Sequence, residues 1–268
     1  VVEILIDRQF FDQEIVLDLD DLVALGLVDR WLTLCCVSNT VGGSLIGNAL
    51  WTGVRVSDVL GLAAPKADAD AVLSTSQDGW TCGTPLEALT DGRDALFAVA
   101  MNGEPLPLEH GFPVRMVVPG LYGYVSATKW VVDLEVSRFD QITAYWTSRG
   151  WSERGPVKVS SRIDVPRSNA NVRPGQVTVA GVAWAQHRGI GMVQVRVDGE
   201  PWQPAELAEV PSPDTWRQWA WRWDATEGDH VLEVRAITED GVEQDGTERP
   251  PVPDGATGWH RVSVTVSG

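Results

Sequence analysis

The chain has 268 residues, of which 44% are hydrophobic, so it is long enough for two globular domains with ordinary cores. Its formal net charge is −16, from 21 basic and 37 acidic residues, and no cluster of Lys and Arg interrupts this acidity, which excludes nucleic acid as a partner. The apolar runs are much shorter than the ~18 residues that a bilayer-spanning helix needs, so no membrane span is expected within this chain.

The first half is predicted to mix short strands with short helices. The chain opens inside a β-type pattern at residues 1–6, which predicts that a longer protein, with any targeting segment, precedes it. Acidic residues followed by helically spaced apolar residues predict a helix at residues 18–25. Residues 31–37 and 113–119 are predicted strands, and Thr-Pro-Leu-Glu at residues 84–87 predicts a helix that begins with a capping box.

The second half, from about Val157, is predicted to contain only strands. Five segments alternate apolar and polar residues and are separated by turn residues such as Asp198-Gly199; they lie at residues 177–182, 193–197, 219–223, 231–236 and 262–266. Short strands at this spacing favour an immunoglobulin-like β-sandwich, and residues 145–158 are the predicted linker. The tryptophans at 219, 221 and 223 are expected on one face of a strand.

Three cysteines, Cys35, Cys36 and Cys82, are too few for a disulfide framework, and free thiols are expected. Cys36 closes a predicted strand and precedes a loop that contains Asn39, Gly42 and Gly43, so its side chain can face a cleft. A thiolate there is a ligand for a soft metal. By residue type alone, a small buried thiol is the more common alternative, and it stays open.

A second group of residues predicts an anion site. His110, Arg115 and Lys129 are three potential cations in a very acidic chain, and nearby glycines let the backbone approach a ligand closely. Cations together with open backbone N–H groups suit a phosphate. The alternative is that Arg115 pairs with a carboxylate and that His110 is an ordinary loop histidine.

These segments resemble the sulfite oxidase family of molybdenum enzymes. Cys-Val-Ser-Asn at residues 36–39 is similar to the family's Cys-Ala-Gly-Asn loop. Residues 101–107 and 110–115 resemble its Met-Asn-Gly-x-Pro-Leu-Pro-x-x-His-Gly-Phe-Pro-x-Arg segment, and residues 118–130 resemble its Val-Pro-Gly to Val-Lys-Trp loop. In the second half, residues 181–184 and later strands are similar to the family's dimerisation domain, so the resemblance covers almost the whole chain.

The resemblance implies a molybdenum–molybdopterin cofactor and a role for each matching residue. Cys36 would be the protein thiolate on molybdenum, and Arg188 would be the arginine of the second domain that reaches the substrate. The residues that would contact the pterin and its phosphate are Asp78, His110, Arg115, Ser126 and Lys129.

Three departures from the family pattern concern the substrate. Sulfite-oxidising members continue the cysteine loop as Asn-Arg-Arg, whereas this chain has Thr40 and Val41 after Asn39. Val99 stands where those members have a tyrosine, and Tyr122 or Tyr124 is a candidate for a replacement phenol. The family's N-terminal stretch, with pterin-binding residues of its own, is absent from this sequence.

The resemblance therefore implies an α+β chain: a mixed α/β molybdopterin-binding domain at residues 1–155, followed by an immunoglobulin-like dimerisation domain at residues 156–268. The expected activity is oxygen-atom transfer on sulfite or a sulfoxide-type compound. Because no haem-attachment motif is present in these residues, electrons are expected to pass through a separate electron carrier or through a domain missing from this sequence. The alternative is a cofactor-free scaffold that keeps the fold. A homodimer is expected, and localisation stays open, with an extracytoplasmic or membrane-anchored bacterial protein as one expectation.

Overall fold

The computed structural model describes residues 4–6, 15–63 and 68–268. Within these ranges the chain is mostly β-structure, with three short α-helices among many strands. None of the helices in the described ranges is both long and apolar enough to cross a bilayer. The chain divides into two compact units: Val1–Val37 with Gly47–Pro156, and Ser38–Ile46 with Val157–Gly268.

The first unit contains two sheets and the three helices. One sheet has the strand order β2-β1-β10-β5-β6, and it is mixed because β1 is parallel to β10. The other has the order β3-β4-β7-β8, with β9 paired to β7. The elements are β1 (Ile4–Ile6), β2 (Ile15–Leu17), α1 (Leu19–Ala24), β3 (Val28–Cys35), β4 (Ile46–Arg55), α2 (Val56–Ala63), β5 (Ala71–Ser76), β6 (Thr81–Pro85), α3 (Leu86–Thr90), β7 (Leu96–Met101), β8 (Glu104–Pro105), β9 (Arg115–Val117) and β10 (Val131–Ser137).

The helix predicted at residues 18–25 is confirmed as α1. Asp18 is its N-cap: the side chain of Asp18 accepts from the N–H of Asp21, and the Asp21 side chain accepts from the N–H of Asp18. This reciprocal pair satisfies two N–H groups that a helix start leaves without partners. The strand predicted at the N-terminus is present at Ile4–Ile6, while residues 1–3 lie outside the described residues.

The capping box predicted at residues 84–87 is wrong. Thr84 and Pro85 belong to β6, and the N-cap of α3 is Pro85, which makes no side-chain cap hydrogen bond. The Thr84 hydroxyl donates instead to the carbonyl of Val125, 2.7 Å away in the sequence-distant segment beyond β9. The Thr84 hydroxyl, which the local pattern predicted to cap the helix, therefore makes a tertiary hydrogen bond instead.

The second unit is built from two sheets, with the orders β11-β13-β17-β16 and β12-β19-β18-β14-β15. The five alternating segments of the sequence are confirmed as parts of β13, β14, β17, β18 and β19. The strands are β11 (Ser160–Val165), β12 (Ala170–Val172), β13 (Gly175–Trp184), β14 (Ile190–Val197), β15 (Gln203–Pro204), β16 (Glu206–Leu207), β17 (Arg217–Ala225), β18 (Gly228–Thr238) and β19 (His260–Val266).

Both sheets of the second unit contribute to a single hydrophobic core. Trp219 and Trp223 of β17 are 2% and 6% exposed in this core, and Trp221 packs against it. Val193 and Val234, from the other sheet, are fully buried in the same cluster. The predicted tryptophan face is therefore confirmed, and it points inwards.

His230 ties two turns of the second unit together. Its Nδ1 lies 2.7 Å from the Asp198 carboxylate and its Nε2 lies 2.9 Å from the carbonyl oxygen of Thr226. Both partners are acceptors, so the doubly protonated ring, which donates from both nitrogens, fits best. The hydrogen bond with Asp198 raises the pKa of His230 above its ordinary value, in spite of the opposing effect of burial.

We predict that His230→Gln destabilises the protein more at pH 5.5 than at pH 8.5. Because the pKa of His230 is raised in the folded state, the stabilisation is complete below the unfolded pKa of about 6.5 and is lost as the pH rises through the folded pKa. The expected loss is about 1 kcal/mol at pH 5.5. Urea denaturation of both proteins at the two pH values measures it; Arg222→Gln, an exposed substitution, is the control, and an equal loss at both pH values would contradict the assignment.

Candidate functional site

Cys36 is the exposed thiol at the end of β3. Its neighbours Cys35 and Val37 are 3% and 5% exposed, as expected when successive residues of an extended segment point to opposite sides. Burial, and then the neighbouring Cys36, raise the pKa of Cys35 to about 12, which keeps that thiol protonated. Cys82 is also buried, and its pKa is raised to about 11. Of the three cysteines, Cys36 is therefore the one open to a ligand.

A hydrogen bond from the backbone to the side chain of Asn39 holds the loop after Cys36 together. The Asn39 side chain is buried, and its Oδ1 accepts from the N–H of Leu45 at 2.9 Å. A Cβ on Gly43 would lie 2.5 Å from this oxygen, so glycine is required there. Thr40 and Val41, which follow Asn39, form part of this loop, and the backbone carbonyl of Thr40 accepts from the N–H of Gly43 at 2.9 Å.

Arg115 begins β9 and is a buried cation with only neutral partners. The residue is 5% exposed; its Nη1 donates to the carbonyl of His110 at 3.0 Å, and its guanidinium lies 5.2 Å from the ring centre of Trp51 on β4. In the described part of the chain no carboxylate lies within ion-pair distance of it. Burial lowers its pKa to about 10. Among the described residues, Arg115 therefore has no acidic partner.

Lys129 and His110 lie beside Arg115. Arg115 and Lys129 form an isolated antiparallel bridge, and the Lys129 ammonium donates to the carbonyl of Glu109 at 2.5 Å. Burial, and then repulsion by Arg115, lower the pKa of Lys129, against the opposing effect of the Glu109 carboxylate. His110 is exposed at the end of a short 3-10 turn. The three predicted cations are therefore grouped, and two of them repel each other.

Asp78 lies in the turn between β5 and β6, next to this group. Gln77 donates its N–H to the carbonyl of Trp130, the residue after Lys129. Trp130 has φ of 45°, which is rare for a bulky residue, and its side chain is 38% exposed. Asp78 itself is exposed, and the N–H of Trp80 lowers its pKa, so it is an ionised acceptor at neutral pH.

Ser126 and the two tyrosines face the interior. The Ser126 side chain is fully buried and donates to the carbonyl of Tyr122 at 2.9 Å, so its single hydrogen is already engaged. The Tyr124 hydroxyl donates to the carbonyl of Ser152 at 2.7 Å, and both Tyr122 and Tyr124 are less than 10% exposed. The expected contact of Ser126 with a pterin stays a prediction, and Tyr124 is a poor candidate for a replacement phenol.

Arg188 belongs to the second unit, where it pairs with Asp240 at 2.6 Å and stays 40% exposed. Its neighbour His187 lies 3.4 Å from Asp214. The role of Arg188 towards a substrate stays a prediction, but in this structure its charge is already balanced by a carboxylate.

Two contributors to the site were missed in the sequence. Trp51 stacks against Arg115 from a strand that is 64 positions away, and no local pattern marks it. Glu109 supplies the backbone carbonyl that holds Lys129, and any residue type could do so. Within residues 15–63 and 68–268, no group of three His, Cys, Asp or Glu side chains is placed to hold a metal ion.

The family model for the oxidoreductase molybdopterin-binding domain matches residues 3–146 of this chain. Mouse mitochondrial sulfite oxidase is 33% identical over 253 residues, which cover 78% of this chain and 46% of the mouse protein. The human enzyme is 30% identical, with 95% of this chain and 56% of the human protein covered. The chain therefore spans about half the length of these curated relatives.

Two further comparisons extend the range of relatives. The uncharacterized oxidoreductase YuiH of Bacillus subtilis is 34% identical over 144 residues, 54% of this chain and 69% of YuiH. Among solved structures, the sulfane dehydrogenase SoxCD from Paracoccus pantotrophus superposes with a TM-score of 0.84 at 22% identity, over 98% of this chain and 75% of that one. At this identity the likeness establishes a common fold.

We predict that Arg115→Met stabilises the ligand-free protein by about 1 kcal/mol, because it removes a buried charge that no acidic residue neutralises. The matched control is Arg55→Met, since Arg55 pairs with Asp94 at 2.6 Å and its loss should cost up to about 1 kcal/mol. Urea denaturation in a buffer without phosphate or sulfate gives both values. Destabilisation of the Arg115 variant by as much as the Arg55 variant would show that Arg115 is structural.

Proposed function

Because the chain belongs to the sulfite oxidase family of molybdopterin-dependent oxidoreductases, we propose that it binds a molybdenum–molybdopterin cofactor through Cys36 and catalyses oxygen-atom transfer with a small substrate. The observation that carries the proposal is the buried Arg115, a full positive charge for which the described residues provide only neutral partners. A phosphate is the partner that this charge lacks.

The residues around Arg115 fit the phosphate end of such a cofactor. Arg115 and Lys129 lie close enough to repel each other, and the pKa of each is lowered. A phosphate between them would reverse both effects, because a dianion favours the charged form of each group. His110, exposed beside them, can donate a further hydrogen bond.

The other roles follow the shape and charge of the remaining residues. The ionised Asp78 can accept hydrogen bonds from N–H groups of a pterin, and the exposed faces of Phe112 and Trp130 next to the cations offer apolar surface to a planar ring. The accessible Cys36 thiol would complete the metal coordination. When bound, the molybdenum centre supplies the redox chemistry, and the protein supplies position and charge.

The proposed architecture is an α+β cofactor domain, residues 1–155, and an immunoglobulin-like sandwich, residues 156–268. The mixed sheet and the three helices of the first unit support the former, and the two sheets around one core support the latter. Electrons would pass to or from a separate carrier or a domain outside these residues.

The proposed substrate is neutral or weakly charged, such as a sulfoxide, rather than sulfite. Thr40 and Val41 replace arginines of the sulfite-oxidising members, and Val99 replaces a tyrosine. The Tyr124 hydroxyl donates to the carbonyl of Ser152, so Tyr124 is a poor replacement for the tyrosine that Val99 replaces. Each lost charge-assisted hydrogen bond weakens anion binding by roughly 1.5–3 kcal/mol, or about one to two decades in affinity.

Metal content tests the cofactor assignment. Full-length protein from a host that makes the cofactor should contain near-stoichiometric molybdenum by plasma mass spectrometry. Cys36→Ser should lose most of the molybdenum-dependent activity, whereas Cys35→Ser, the matched control at the adjacent buried position, should keep it. The opposite pattern would reverse the thiolate assignment, and protein without molybdenum would favour the cofactor-free scaffold.

Steady-state kinetics tests the substrate. With molybdenum-loaded full-length enzyme and an artificial electron carrier, a sulfoxide should be turned over with a higher kcat/KM than sulfite. Efficient turnover of sulfite at micromolar KM would defeat this prediction, and would show that the pocket draws positive charge from residues other than those replaced at positions 40 and 41.

We also expect a homodimer with an isologous interface in the second unit. Trp184, Trp219 and Trp223 are buried in that unit and Trp221 packs on its core, so these four side chains are engaged within the unit itself. The expectation therefore depends on the similarity to the family's dimerisation domain. Sedimentation of the full-length protein at micromolar concentration should give a dimer mass, and a monomer alone would count against it.

A further inference from the structure

The second unit contains a cavity of about 350 Å³ that the proposed function does not use. Its walls come from the loop Ser38–Ile46, from β11 with the turn that follows it, and from β19, all of which belong to this unit. The side chains in the walls are predominantly donors of hydrogen bonds, in a chain with a net charge of −16.

The wall carries one uncompensated positive charge. Arg162 is neutralised by Asp164, whose Oδ1 lies 2.6 Å from the Arg162 Nε, and its Nη1 donates to the carbonyl of Gly43 at 2.8 Å. Arg167, by contrast, is exposed, and its guanidinium has neither an ion pair nor a hydrogen bond in the part of the chain that the structure describes. Asp164, the acidic residue of the wall, is thus paired with Arg162, and the Arg167 guanidinium is accessible to a ligand.

His260 adds a neutral donor. Its Nδ1 accepts from the N–H of Ile163 at 3.0 Å, so the ring hydrogen of the neutral form is on Nε2. Burial, and then Arg162, lower the pKa of His260, which favours this neutral form. Gly42, with φ of 74°, makes room for the ring, because a Cβ there would lie 2.2 Å from Nε2.

We propose that this cavity binds a small oxyanion of the sulfate or phosphate class. The Arg167 guanidinium would supply the charge, and the hydroxyls of Ser44 and Ser168, with the Nε2–H of His260, would supply neutral donors. The bound anion would also tie β11 and its turn to the loop Ser38–Ile46, which begins two residues after Cys36. The residues of this cavity belong to the second unit and Arg115 belongs to the first, and the proposal does not depend on the proposed cofactor.

Calorimetric titration of the full chain with sodium sulfate, and separately with sodium phosphate, in chloride buffer of constant ionic strength tests the proposal. Saturable binding is expected, and Arg167→Gln should weaken it at least tenfold. Ser168→Ala should weaken it less, and provides a second variant that leaves the charges unchanged. Arg173→Gln, at an exposed residue of the same unit outside the cavity, is the matched control and should bind as the unaltered protein does.

Arg115→Gln separates this site from the cation group of the first unit, which could also hold sulfate in cofactor-free protein. If binding survives Arg115→Gln and is lost in Arg167→Gln, and if sulfate slows amide hydrogen exchange at Gly43 and Ser44, the cavity is the site. Three results would each overturn the proposal. Arg115→Gln could abolish binding while Arg167→Gln leaves it intact, the Arg167 and Arg173 variants could weaken it equally, or the protein could show no saturable binding.

Discussion

The burial of the Arg115 guanidinium is the constraint on which the candidate site depends. A cation that is taken out of water is costly unless an anion or a set of well-placed acceptors compensates for it. Here the acceptors are the backbone carbonyls of His110 and Met116 and the face of Trp51, none of which carries a full negative charge. Lys129 adds a second positive charge nearby, and the repulsion between the two cations lowers the pKa of Lys129.

The same sheet that fixes Arg115 also fixes the thiol. β3, which ends at Cys35, and β9, which begins at Arg115, belong to one sheet, with β4 and β7 between them. Because successive residues of an extended segment point to opposite sides, Cys35 is buried and Cys36 is exposed, and only the second of these adjacent thiols is accessible to a ligand. The exposed thiol and the buried guanidinium therefore lie on strands of the same sheet or directly after one.

The loop after Cys36 is held by the Asn39 hydrogen bond and by the close approach at Gly43, and residues 38–46 contain neither Arg nor Lys. The loop packs with the second unit, where Arg162 holds the Gly43 carbonyl and Arg167 stays unpaired. Positive charge is thus present along the Ser38–Ile46 loop, but it is carried by residues of β11 and the following turn.

The sequence by itself determined the family, the cysteine and cation segments and most strands of the second half, because these depend on local order: alternation, turn residues and contiguous motifs such as residues 101–115. It also predicted α1 correctly, since the acidic first turn and the helical spacing of the apolar residues lie within a few consecutive positions. Only the tertiary structure decided that Thr84 bonds to Val125, that Trp51 covers Arg115, and that the tryptophans of β17 are buried in the core. Each of these contacts joins residues on different strands or distant segments, and strand pairing and sheet packing, which bring such residues together, leave no mark in the local sequence.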